Sequence, residues 1–122
     1  MADGRGPDAC FERVRDRSIE KAQLGHMLLE RRIPEALRIL EPADVGDALH
    51  RAIYAAICAV QAQGKRVDLA PVLDQMRRDK TLNDLLFAGG WFFLYECMYL
   101  YAALGKGPLY AQRIAELAGK RR

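Results

Sequence analysis

No stretch of this chain alternates apolar and polar residues at period two. Apolar residues recur instead at three and four positions, most regularly as Leu49, Ile53, Ile57 and Val60, with Ala56 beside them. A strand needs period two to present one face to a core, so this pattern specifies helices. Pro34, Pro42, Gly64, Gly89-Gly90 and the run "GKGP" then cut the chain into pieces a few turns long. The expectation is an all-α fold, a small globular bundle of about six to seven helices.

The punctuation places those helices. A first runs roughly from Ser18 to Arg32, with Ser18 as N-cap and Glu20 in the first turn. Gly25 falls inside it, where glycine costs about 1 kcal/mol against alanine. Such a glycine is kept where another backbone comes close. Pro34 starts a short second helix, "PEALRIL", which Pro42 ends. Asp44 is placed to cap the third helix, with Asp47 three residues on in the position of a capping box. Gly64 stops that helix. In "KRVDL" Val67 or Leu69 drops into the core, and Asp68 caps a fourth helix whose Val72, Leu73 and Met76 face inward. Thr81 is a candidate cap for "TLNDLLF", "WFFLYECMYLYAAL" forms a sixth helix, and "LYAQRIAELAGKRR" closes the chain.

Residues 1–17 are mixed in charge, with Gly and Pro and little apolar period, and read as a flexible arm. Residues 18–118 form the helical domain, and 119–122 a basic tail. At 122 residues, 51% hydrophobic and 29% charged, the chain has the composition of a globular protein that buries one core without staples. The longest apolar run has 14 residues and carries Glu96, too short to cross a bilayer. With no signal-peptide pattern at the N-terminus, the expected compartment is the cytoplasm.

Little in the chain suggests chemistry. Cys10, Cys58 and Cys97 are odd in number and far apart, which argues against both disulfides and a zinc ribbon. Cys58 and Cys97 lie in apolar helical runs and read as buried small hydrophobes. His26 and His50 are the only histidines, and a metal or catalytic pair would need them brought together, each with a carboxylate or Cys in reach. His50 is read as packing at a helix start with its ring bonded to a backbone group. Phosphate loops and nucleophile elbows are absent. The expectation is a domain without catalytic residues, metal or cofactor.

A formal charge of +3 permits an acidic partner without demanding nucleic acid. A helix-turn-helix reading of the third and fourth helices fails on the latter's opening, "DLAPVLDQ", where a recognition helix carries Arg, Asn or Gln. Lys120, Arg121 and Arg122 are the candidate phosphate contact, with a solvated tail as the plainer reading.

Five blocks then line up in order. "IEKAQLGHMLLE" carries Glu20, Leu24 and Gly25. "EPADVGDALHRAIY" carries Pro42, Asp44, His50, Ile53 and Tyr54. "GKRVDLAPVL" carries Gly64, Val67, Asp68, Leu69, Val72 and Leu73. "GGWFFL" carries Gly89, Gly90, Phe93 and Leu94, and "YAQRI" carries Tyr110, Ala111 and Ile114. Together these resemble the N-terminal domain of the DnaB family of replicative DNA helicases, over roughly residues 18–118. The resemblance implies a non-catalytic scaffold that pairs with itself and docks primase, loader or helicase, with DNA binding weak or absent. The family continues into a RecA-like ATPase that does not follow "GKRR" here, so the expectation is a domain without a motor, either a free-standing paralogue, which is favoured, or a piece of a longer helicase.

The sixth helix is where a partner is expected. Leu94, Cys97, Met98 and Tyr101 already supply one apolar stripe at i, i+3, i+4 and i+7. Trp91, Phe92, Tyr95 and Tyr99 lie opposite, with Glu96 the one charge on the helix. That second face is read as an interface, with a homodimer as the favoured form. The plainer alternative is burial within the chain, beneath the last helix and the N-terminal arm.

Overall fold

Helix α1 (Gly6–Glu30) is the longest element, and α5 (Trp91–Leu104) packs along it. Between them in the chain come a 3-10 turn (Pro42–Asp44), α2 (Ala48–Ala62), α3 (Leu69–Arg78) and α4 (Leu82–Phe87). The computed structural model describes residues 6–33, 41–104, 114, 116, 118 and 119. Every regular element among them is helical, as the missing period-two pattern requires. The described residues give five α-helices and one 3-10 turn, slightly fewer than expected. Ile114, Glu116, Ala118 and Gly119 are helical too, while "PEALRIL", most of the closing helix, and Lys120, Arg121 and Arg122 lie outside the described residues.

Helix α1 begins well before Ser18, so Ser18 is an interior residue and not a cap, and residues 6–17 are helical rather than an arm. Pro7 sits in the first turn, where its missing amide does no harm, and nothing between it and Gly25 breaks a helix. The weak apolar period that suggested an arm does not by itself forbid a helix.

The core draws on every helix. Leu24, Met27, Ile53, Ile57, Val60, Val67, Val72, Met76, Leu85, Leu94 and Cys97 are all essentially inaccessible to solvent. Val67 is the loop residue that enters the core, and Leu69 packs at its margin. Ile114 joins the same cluster, so the closing helix also contributes. Cys97 is fully buried, and Cys58 is half-buried at the edge.

Several helices end in the same way. Arg31, Gly64 and Lys80 take the left-handed conformation at φ 58°, 76° and 63°. The amide beyond each donates back across the turn: Arg32 to the Met27 carbonyl at 3.2 Å, Lys65 to Val60 at 3.2 Å, Thr81 to Met76 at 2.9 Å. These bonds satisfy carbonyls the helices leave open. Helix α4 stops at Gly89 and Gly90, φ 124° and 60°, with the Gly90 amide bonded to the Leu85 carbonyl at 2.8 Å.

Two capping expectations are corrected. Asp47 caps α2, accepting from the Leu49 and His50 amides at 2.9 and 3.1 Å. Asp44 closes the 3-10 turn instead, accepting from the Glu41 amide at 2.9 Å. Asp68 occupies the N-cap position of α3 but makes no side-chain cap bond; its carboxylate turns to Arg31, 3.3 Å away. Thr81, at the start of α4, likewise makes no cap bond, and its hydroxyl donates to the Met76 carbonyl at 3.3 Å.

Candidate interaction surface

Helix α5 has two unlike sides, and α1 decides which is which. A Cβ placed on Gly25 would overlap the carbonyl group of Cys97 and lie 2.8 Å from the Met98 Cα. The two helices therefore touch backbone to backbone, as expected of a mid-helix glycine. One turn further, the ring of His26 stacks flat on Tyr101, centroids 4.4 Å apart and planes within 5°. Burial holds the His26 pKa below its usual value, against the opposing charge of Glu30. Leu94 and Cys97 are buried on this side, and the Cys97 thiol is pushed up to about 12 by that burial.

The other side faces solvent. Trp91 is 46% exposed, Phe92 82%, Tyr95 53% and Tyr99 72%. Neither the helical part of the closing segment nor α1 removes them from water. Leu86 and the almost fully exposed Phe87, at the end of α4, precede them across the glycine turn. Sequence reasoning passed over these two residues, although "LLF" directly before Gly89-Gly90 is as apolar as the helix that follows. Glu96, the single charge of α5, reaches back to Lys21 of α1 at 3.5 Å. Lys21 also stands over the ring of Phe93, 5.1 Å from its centroid.

Behind this surface lies a buried polar lock. The Glu20 carboxylate, on α1, accepts from the Gly46 amide at 2.7 Å and the Asp47 amide at 3.3 Å. It also meets His50 Nδ1 at 2.9 Å, with both side chains buried. A carboxylate can only accept, so the ring nitrogen donates. The partner of His50 is thus a carboxylate 30 residues away and not the backbone group expected. Arg51 clamps the same corner from outside, donating to the Val45 carbonyl at 3.0 Å and the Gly46 carbonyl at 3.2 Å. Burial would raise the Asp47 pKa, yet the His50 and Leu49 amides and the nearby His50 ring hold it below its usual value.

His26 and His50 are not brought together. Their sites on α1, at positions 26 and 20, are about 9 Å apart along the axis, and no group of three His, Cys, Asp or Glu side chains among the described residues is arranged to hold a metal. No helix among them is long and apolar enough to cross a membrane.

The geometry defines a helical scaffold with an apolar outer face. A family model, the DnaB-like helicase N terminal domain, matches residues 13–115. The chain belongs to that family. It is 36% identical over 114 residues to the replicative DNA helicase DnaB of Rhodothermus marinus, covering 93% of this chain and 11% of that protein. The crystal structure of the N-terminal domain of DnaB helicase from Mycobacterium tuberculosis superimposes with a TM-score of 0.74 at 28% identity, over 85% of this chain and 73% of that one. The chain thus spans about a tenth of the length of the helicase it matches, and the matched region is the helical N-terminal domain of a replication protein.

Proposed function

We propose that this domain is a protein–protein interaction module that pairs with a second copy through the outer face of α5 and docks a replication protein: helicase, primase or loader. The observation that carries the reading is the exposure of Trp91, Phe92, Tyr95 and Tyr99 on one helix. Large contiguous apolar patches are uncommon on monomers, and Trp and Tyr dominate interface centres. Residues 18–118 serve as the module, working in the cytoplasm where replication proteins act.

Sedimentation of wild type beside the double variant Tyr95→Glu with Tyr99→Glu tests this. A dimeric wild type and a folded, monomeric variant are expected. A wild type still monomeric at high micromolar concentration would remove the homodimer. A variant that loses its helical signal would place both tyrosines in the core.

A further inference from the structure

The ends of α1 and α2 bring four basic residues together. Arg31 and Arg32 follow the last turn of α1, and Lys65 and Arg66 follow that of α2. With Ile33, Gln61 and Gly64 they line an open cleft of about 410 Å³. Backbone bonds hold its two walls: the Val67 amide donates to the Arg31 carbonyl at 3.0 Å, and the Ile33 amide to Gln61 Oε1 at 2.5 Å.

The charge in this cleft is poorly answered. Asp68 pairs with Arg31 alone, at 3.3 Å. Arg32, Lys65 and Arg66 are exposed and make no ion pair among the described residues. Asp74, whose charge Lys65 feels, is already bonded to Arg77 and Arg78 at 2.7 and 2.9 Å. Part of this positive charge complements the negative ends of two helix dipoles. Neither helix carries a basic residue in its last turn, and the four cations stand just beyond it.

We propose that this cleft binds the phosphodiester backbone of a nucleic-acid strand. Three of the four cations are arginines, whose forked donors match the paired oxygens of a phosphate. Gly64 has open space where a side chain would stand, so a strand can approach the backbone there. A docked acidic peptide needs apolar anchors as well as charge, and Ile33, itself buried, is the one apolar residue among the described residues of the lining. Among the described residues no aromatic ring lines the cleft to stack a base, so binding reads phosphate and not sequence. The proposal does not draw on the C-terminal residues Lys120, Arg121 and Arg122, and its failure would leave the dimer reading untouched.

The test is fluorescence anisotropy of a labelled oligothymidylate of roughly 20 nucleotides with the full chain. Neutralising about three phosphates of a single strand predicts affinity falling roughly 20-fold between about 50 and about 200 mM salt. The variant Arg32→Gln, Lys65→Gln, Arg66→Gln should lose at least about tenfold at the lower salt and flatten the slope. The variant Lys120→Gln, Arg121→Gln, Arg122→Gln should bind as wild type does. If the cleft variant misfolds, Lys65→Gln alone should reduce the slope by about 0.7. Equal binding by wild type and cleft variants would overturn the proposal. So would loss confined to the C-terminal variant. Equal competition by polyglutamate of matched charge would assign the cleft to an acidic protein segment instead.

Discussion

Gly25 of α1 and Cys97 of α5 meet main chain to main chain, with no room for a Cβ between them. Helix propensity and packing therefore predict opposite signs for Gly25→Ala. Propensity favours alanine by about 1 kcal/mol. The clash involves backbone atoms that no rotamer change can clear, and overpacking of this kind costs about 1–3 kcal/mol. A lower melting temperature is expected, and lower still for Gly25→Leu. Cys97 offers a second readout. Its thiol, pushed up to about 12, should resist iodoacetamide in wild type and react faster in Gly25→Leu. A variant that melts at or above wild type would show that the helices separate freely.

Removing one member of the Glu20–His50 pair strands the other. Glu20→Ala leaves the Gly46 and Asp47 amides and the His50 ring without their acceptor in a buried site. Breaking a buried pair typically costs about 3–5 kcal/mol. Chemical denaturation of Glu20→Ala, His50→Ala and the double variant should give a double-mutant loss well below the sum of the singles. Additive losses would mean that the two side chains act independently.

Asp47 ties stability to acid. Its pKa is lowered in the folded protein, so the carboxylate is the form that folding favours. That stability is fully present above the unfolded value near 3.8 and is lost as pH falls through the folded value beneath it. Asp47→Ala should cost about 1 kcal/mol at neutral pH as a lost cap. Melting curves collected down the acid range should show the gap between wild type and variant shrinking below pH ~4. A constant gap would assign the effect to packing.

His26 acts in a higher window. Its pKa is lowered by burial, so the unfolded chain binds the proton more readily. Stability from the neutral ring holds above the unfolded value of 6.5 and declines as pH falls through the folded value. His26→Phe keeps a ring to stack on Tyr101 and removes the titration. Between pH 7 and 5 its stability should vary less than that of wild type, measured by urea denaturation. Parallel curves would show that the ring stays hydrated.

The core was legible because its cause is local. Ile53, Ile57 and Val60, and Val72 with Met76, announce their buried face through spacing alone. Gly25 was legible because a mid-helix glycine needs a reason. The outer face of α5 stood out because one apolar stripe was already complete without it. What escaped depends on distant partners. Glu20 and His50 are 30 residues apart, and neither is apolar, so no periodicity flags them. The choice between Asp44 and Asp47 as cap was open because two carboxylates three residues apart both fit the rule. The Arg31–Arg32 and Lys65–Arg66 pairs are unremarkable in sequence, and only the convergence of two helix ends makes a cleft of them.

A side chain between two helices can change rotamer and absorb a small shift. At Gly25 there is none. Any shift of α5 at this contact must be taken up by the α1 backbone, and α1 carries Glu20, which grips the start of α2.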